Sequence, residues 1–375
     1  MKVIVQQPAL PKYRLPLFSK ISENSEINLK ILYSTDDSLP SFKGEGFSSR
    51  VVKNYSLPFL GLMWCPSQLE SAKKSRCDVL ILPWNIHYLS LLPTLLRARL
   101  NGVKVILWGH GYSKRESLVK KTLRDFIGKM ATSVLFYDKV TAKRYVDSGW
   151  NKERVNVALN TLDTSPVNRA FDYWNNNARL TKFKREHDLL ECSTILYVGR
   201  LYPENNVEVL FNALAFLKQE SLNIKLVIIG KQNNYADELK QLAHDLGIKK
   251  SVQFVGEIYE EEELAPYFLS SDLFCYPANI GLSIIHAMAY GLPVLTGDKI
   301  SAHNPEIHAL KNGENGFLFN DNDSLALKDK ILEILHNDEH LTSVRKNARL
   351  TIEQDYSINR MAEGYIKAIK QTMVS

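Results

Sequence analysis

The stretch Thr194–Leu217, TILYVGRLYPENNVEVLFNALAFL, decides the fold. Thr194 to Val198 is a short apolar run of strand length. Gly199 lets the backbone turn tightly, and polar residues follow as far as Asn206. From Val207 to Leu217 the apolar residues recur at helical spacing. Strand, loop and helix in that order make one repeat of a parallel sheet with helices on its faces.

The same alternation extends both ways. Downstream, Leu226–Ile229, Val252–Val255, Leu273–Tyr276, Pro293–Leu295 and Phe317–Phe319 read as strands, most of them separated by helical patterns. Upstream, a first series comprises Val3–Val5, Leu29–Tyr33, Val79–Leu82, Val103–Trp108, Ser133–Phe136 and Val155–Ala158. Fully apolar runs such as VLIL and VKVILW suit a sheet buried on both sides. Between the series lies a polar stretch rich in Asn and Lys, read as a linker plus a helix. The expected organisation is α/β: residues 1–165 as one Rossmann-like domain, 166–188 as linker and 189–352 as a second such domain. Residues 353–375 are expected to form a helix packing back on the first domain, with Tyr356, Met361, Tyr365, Ile366 and Ile369 on its apolar face.

Length and composition agree. The 375 residues exceed one ordinary core and suit two. Hydrophobic residues at 45% and charged residues at 23% exclude a disordered chain and a collagen-like repeat. No apolar run approaches the ~20 residues of a membrane span. The opening MKVIVQQPALPKYRLP lacks the apolar core of a secretory signal, so the expected location is the cytosol. Cys65, Cys77, Cys192 and Cys275 form no CxxC pair and read as scattered reduced thiols. A net charge of +6 suits anionic ligands or an anionic lipid surface and falls short of a charge-driven nucleic-acid binder.

Open parallel sheets bind ligands at the C-terminal ends of their strands. Five features lie there or nearby. Arg200, directly after Gly199, can fork onto a diphosphate or pair with a local carboxylate. After the strand LFCY, Asn279, Ile280 and Gly281 lead into a helix from about Leu282, with Ser283 in its first turn. Helix starts present unpaired N–H groups and partial positive charge. His286, one turn on, reads either as a ligand contact or as a packed histidine bonded to a carbonyl. In ILWGHGYSKRE, Gly109 and Gly111 flank His110 on a bare loop. That imidazole can meet a sugar hydroxyl or a phosphate oxygen, or simply face water. Gln7, Tyr13 and Arg14 follow the first strand, where polar residues line a cleft or cap a helix; Asn160–Asp163 read as a hinge or an N-cap. Finally Lys114, Arg115, Lys120, Lys121, Arg124 and Lys129 interleave with Leu118, Val119, Leu123, Phe126, Ile127 and Met130. Residues 114–130 thus read as an amphipathic helix on anionic lipid, or as a core-facing helix with a solvated basic face.

These motifs resemble the glycosyltransferase family 4 group, most clearly over Thr194–Asn320. The likeness rests on Gly199, Arg200, Leu201, Pro203 and Glu204, then on Gly281, Leu282, Ala287, Gly291, Leu292, Pro293 and Val294, and on NGENGFLF from Asn312 to Phe319. It implies the GT-B fold: two Rossmann-like domains facing a central cleft, with the C-terminal helix crossing back. It also implies retaining, metal-independent transfer of a sugar from a UDP- or GDP-linked donor. The acceptor would be a glycan or a lipid-linked glycan of the kind used in polysaccharide or lipopolysaccharide assembly, reached from the cytoplasm or the inner face of the membrane. No cofactor is implied beyond the nucleotide sugar, and no nucleic acid.

Residue by residue, the resemblance puts Arg200 on the diphosphate and the Gly281, Leu282 and Ser283 amides at the donor sugar and phosphate. His110 would sit beside the reacting carbon. The family has Lys where this chain has Asn205, and Glu where it has Ala278 and His286. Asn205 is expected to donate its amide to the donor, His286 to reach a ribose hydroxyl, and Lys231, after the strand LVIIG, to supply the missing charge. The alternatives are a GT-B protein that binds nucleotide sugar with weakened or no chemistry, and a sugar-nucleotide epimerase of the same plan.

Overall fold

The structure is a computed structural model and describes every residue except 36–40, 45, 58, 60, 113–116, 221 and 375. The chain divides into two units, Met1–Leu162 with Ile358–Ser375, and Asp163–Ser357.

The first unit runs β1 (Lys2–Gln7), α1 (Leu15–Ser22), β2 (Asn28–Tyr33), β3 (Ser48–Val51), β4 (Tyr55–Leu57), β5 (Leu62–Trp64), α2 (Pro66–Ser71), β6 (Val79–Pro83), α3 (Leu91–Leu100), β7 (Lys104–Gly109), α4 (Leu118–Met130), β8 (Ser133–Phe136), α5 (Lys139–Asp147) and β9 (Val155–Val157). Among the described residues its main sheet has the order β3-β2-β1-β6-β7-β8-β9, parallel throughout; β4 and β5 form a separate antiparallel pair. The central strands explain the apolar runs. In β6, Leu80 and Leu82 enter a core shared with α3, α4 and α5, while Val79 and Ile81 enter the opposite core, shared with α1. Alternating side chains buried on both faces leave no position for a polar residue.

The second unit runs α6 (Ser165–Trp174), α7 (Asn177–Glu186), β10 (Ser193–Val198), α8 (Val207–Gln219), β11 (Ile224–Ile229), α9 (Asn234–Asp245), β12 (Val252–Gly256), α10 (Glu261–Ser270), β13 (Leu273–Cys275), α11 (Ser283–Ala289), β14 (Val294–Gly297), β15 (Gly316–Phe319), α12 (Ser324–Leu335) and α13 (Asp338–Asp355). Its sheet, order β12-β11-β10-β13-β14-β15, is also parallel. The stretch 166–188, read as a linker plus a helix, is helical over most of its length. It forms most of α6 and α7, which pack on α10. The Trp174 indole N–H donates to the Glu262 carbonyl at 2.8 Å, and Phe183 meets the Tyr267 ring edge-on at 4.9 Å. Its polar composition hid a few large aromatic residues on one side of each helix. At the unit boundary the Asp163 carboxylate accepts the Ser165 N–H at 2.9 Å, while Thr164, the N-cap residue of α6, makes no side-chain cap bond.

The last helix, α14 (Ile358–Val374), belongs to the first unit. Met361, Tyr365 and Ile369 are buried in the α1-side core, worth about 1.5–3 kcal/mol each. Gly364 permits the close approach: a Cβ there would come within 2.7 Å of the Val157 carbonyl oxygen. Tyr356, expected on this helix, precedes it and lies in the second unit.

Candidate functional site

In the second unit β11, β10 and β13 are neighbours, so the loops that follow them meet at one edge of the sheet. Gly199 and Arg200 follow β10, Lys231 closely follows β11, and Pro277–Leu282 follow β13. Arg200 and Lys231 are exposed, and among the described residues neither has an ion-pair partner. The Arg200 guanidinium lies 5.4 Å from the Tyr202 ring centroid.

Asn205 holds these loops together. It is 2% exposed. Its amide donates to the Arg200 carbonyl at 2.6 Å and to the Tyr197 hydroxyl at 3.1 Å. Its side-chain oxygen accepts from Asn279 Nδ2 at 3.1 Å, and its main-chain oxygen accepts from the Ala278 N–H. The side chain expected on the donor is therefore engaged within the protein on every side. Tyr197 and Tyr276 stack beneath at 4.6 Å, and burial raises both hydroxyl pKa values.

A second brace holds the other side of the loop. His303 is fully buried and donates from Nε2 to the Gly297 carbonyl at 2.8 Å. Its Nδ1 accepts the Ile280 N–H at 3.3 Å. Asn304 donates its main-chain N–H to the Ile280 carbonyl at 2.9 Å and its side-chain amide to the Asn279 carbonyl at 3.3 Å. Ile280 is thus buried in the frame, not turned to a ligand. Gly281, Leu282 and Ser283 are half-buried, and their N–H groups have no hydrogen-bond partner among the described residues. Reading the sequence missed His303 and Asn304; the tripeptide HNP after a strand was the available signal.

His286 bonds neither a carbonyl nor an open face. Its Nε2 lies 2.8 Å from Glu261 Oε1, which also accepts the Tyr290 hydroxyl at 2.6 Å. Burial pushes the Glu261 carboxyl upward, but the bonds from His286 and Tyr290 and the His286 charge outweigh it and hold the pKa below its ordinary value. Glu261 was also missed; it lies in a run of four glutamates that looks like a solvated helix start.

In the first unit the ends of β1, β7 and β8 carry a cluster around Arg14. This guanidinium is buried and lies 5.3, 5.8 and 5.5 Å from the ring centroids of Tyr13, Trp108 and Tyr137. It donates to the Tyr137 hydroxyl at 3.4 Å. His110 is exposed, with its ring 4.9 Å from that of Tyr137. Gln7 is buried at the end of β1. Gly109 is half-buried, whereas Gly111 is buried. Gly111 adopts φ +68°, a Cβ there would strike Phe136, and its carbonyl takes the Tyr145 hydroxyl. That glycine serves packing, not substrate approach.

On α4, Leu118 and Val119 are 82% and 78% exposed, and Leu123 and Phe126 are exposed as well, beside Lys120, Lys121 and Lys129. Arg124 is buried instead. Lys114 and Arg115 lie outside the described residues. Among the described residues no helix is long and apolar enough to cross a membrane.

Residues 181–351 match the family model for glycosyl transferases group 1. An uncharacterised glycosyltransferase of Haemophilus influenzae is 26% identical over 301 residues, which span 78% of this chain and 76% of the relative. A phosphatidyl-myo-inositol mannosyltransferase of Mycobacterium leprae is 29% identical over 150 residues, only 39% of this chain and 38% of the relative. The crystal structure of Anabaena HepE in complex with UDP superposes with a TM-score of 0.75 at 16% identity, covering 99% of this chain and 100% of that one. These likenesses support a glycosyltransferase with the GT-B fold.

Proposed function

We propose that this protein moves a sugar from a nucleoside-diphosphate sugar, UDP- or GDP-linked, to a hydroxyl of a glycan or lipid-linked acceptor, with retention and without a metal ion. The observation that carries the reading is the meeting of three strand-end loops in the second unit, with Arg200 and Lys231 exposed there and, among the described residues, no carboxylate paired to either. Two unneutralised cations at such an edge suit a diphosphate.

In this reading the sugar–oxygen bond to the diphosphate breaks as the acceptor hydroxyl attacks from the same face. The leaving phosphate takes the hydroxyl proton. Arg200 touches the diphosphate and stabilises the charge it gains; Lys231 replaces the lysine that the family carries at the Asn205 position. The amides of Gly281, Leu282 and Ser283 add donors. His110 keeps its role beside the reacting carbon on the strength of the resemblance alone. Asn205 loses the donor contact assigned to it and becomes the frame that sets Arg200 and Asn279. In this reading His286 reaches a ribose hydroxyl while bonded to Glu261.

One observation favours a second reading, a nucleotide-sugar-binding protein without chemistry. Asn205 and Ala278, where the family carries charged groups, are both buried. A thermal-shift screen with UDP, GDP and their sugars, followed by a transfer or hydrolysis assay, separates the two. Binding with turnover supports the transferase; binding without turnover supports the second reading.

The lipid-linked acceptor draws support from α3 and α4, which share one core on the same face of the sheet. Leu92, Leu96 and Leu100 of α3 are exposed at four-residue spacing, and Leu118, Val119, Leu123 and Phe126 of α4 are exposed as well, with Arg99 and three lysines among them. Such a surface suits an anionic bilayer. The expected result is flotation of the protein with anionic vesicles at low salt; failure to float at low salt ends the membrane proposal.

A further inference from the structure

We infer that the first unit recognises an anionic group, a carboxylate or a phosphate, through Gln7 and Trp108 at the ends of β1 and β7. Its meaning as part of the acceptor rests on the transferase reading above; its existence does not.

At these strand ends two buried donors are left unmatched among the described residues. Gln7 is 4% exposed and Trp108 7%. Among the described residues Gln7 Nε2 and the Trp108 indole N–H each lack a hydrogen-bond partner. Folded proteins rarely leave such groups unpaired, because each loses its bonds to water and gains nothing.

Sheet register puts the pair together. Val5 lies opposite Ile81, and Ile81 opposite Ile106, and all three enter the same core. Two residues further along each strand come Gln7, Pro83 and Trp108, the last paired directly with Pro83. Side chains two apart share a face, so Gln7 and Trp108 flank Pro83 on one side of the sheet, with strand axes about 10 Å apart. Pro83 has no N–H and no polar side chain, so the row presents donors at its two ends and an apolar middle.

The chemistry of the ligand follows. Both orphan groups donate, so the partner must supply acceptor oxygens. The Arg14 guanidinium, 5.8 Å from the Trp108 ring and 5.5 Å from that of Tyr137, brings a cationic group close to this row. A carboxylate or phosphate offers several acceptor oxygens and the opposite charge; a neutral sugar hydroxyl offers less of both. A uronic acid and a lipid phosphate are two sources of the same group.

The test uses the full chain and the variants Trp108→Phe and Gln7→Leu, probed with inorganic phosphate, glucuronate, farnesyl phosphate, and glucose as the neutral control. Each variant removes an unpaired donor, so each is expected to raise the ligand-free melting midpoint by about 2–4 °C. Each is expected to weaken anion binding about tenfold while leaving the shifts caused by UDP and GDP unchanged. Tighter binding of glucuronate than of farnesyl phosphate identifies a uronic acid as the source; the reverse order identifies a lipid phosphate. The inference is overturned by a fall in both midpoints with anion affinity unchanged. Equal stabilisation of the native chain by glucose and the anions, or none by any anion, also overturns it. Failure of the transferase reading shows separately, as absence of any nucleotide response in the native chain.

Discussion

The strand ends of the two units treat their polar groups in opposite ways. In the second unit Asn205, Asn279, His303 and Asn304 bind one another and the main chain of the loops they support. Their polar atoms are satisfied internally, and the charges available to a ligand, Arg200 and Lys231, stand outside that frame. In the first unit Gln7 and Trp108 keep buried donors without partners among the described residues. A satisfied network fixes geometry and leaves recognition to the groups it carries. An unsatisfied one is itself the recognition element, because binding supplies the bonds that folding withheld.

Asn205→Leu tests the frame most severely. It strips partners from the Arg200 carbonyl, the Tyr197 hydroxyl and the Asn279 amide at once. The expected loss is about 2–4 kcal/mol, read by chemical or thermal denaturation without ligand. An unchanged ligand-free midpoint would return Asn205 to the role of a ligand contact.

Arg200→Ala comes next and should separate function from stability. Turnover with saturating donor is expected to fall ten- to a hundredfold, the worth of one charged contact at about 1.5–3 kcal/mol. Stability should move by less than about 0.5 kcal/mol, since the side chain is exposed. Unchanged turnover would remove Arg200 from the site.

Glu261→Gln probes a third arrangement, a buried carboxylate held by His286 and Tyr290. Its folded pKa lies below the ordinary carboxylate value. Its stabilising effect is therefore complete above the unfolded pKa and fades as pH falls through the folded one. The variant should be less stable than the native chain by about 1–2 kcal/mol near neutrality, with the gap closing in acid. A gap that persists unchanged at low pH would mean that the charge contributes nothing. Trp108→Phe gives the smallest expected effect, and it has the opposite sign: a gain of about 2–4 °C.

Much of this was legible in the sequence. Apolar runs of strand length, separated by helical periods, betrayed two parallel sheets because a strand buried on both faces has no room for polar residues. Gly199–Arg200 and Asn279–Ser283 stood out because a glycine or asparagine after a strand marks a turn at the ligand-binding edge. In the stretch 166–188 one helix was legible and the second was not, because helices that bury only a few large side chains keep a polar composition. Asn205 misled for a different reason: its position pointed to the donor, but an amide satisfied by three internal partners looks the same on paper as one facing a ligand.

Sequence alone determined the alternation, the repeat of the strand–loop–helix unit and the loops that carry glycine and charge, since these depend on local spacing. Tertiary structure alone decided which polar atoms bond one another. Asn205 and Asn279 are 74 residues apart, and Glu261 and His286 are 25 apart. Whether such groups are satisfied or left waiting depends on strand order and register, which bring distant segments within hydrogen-bonding range and which no local pattern encodes.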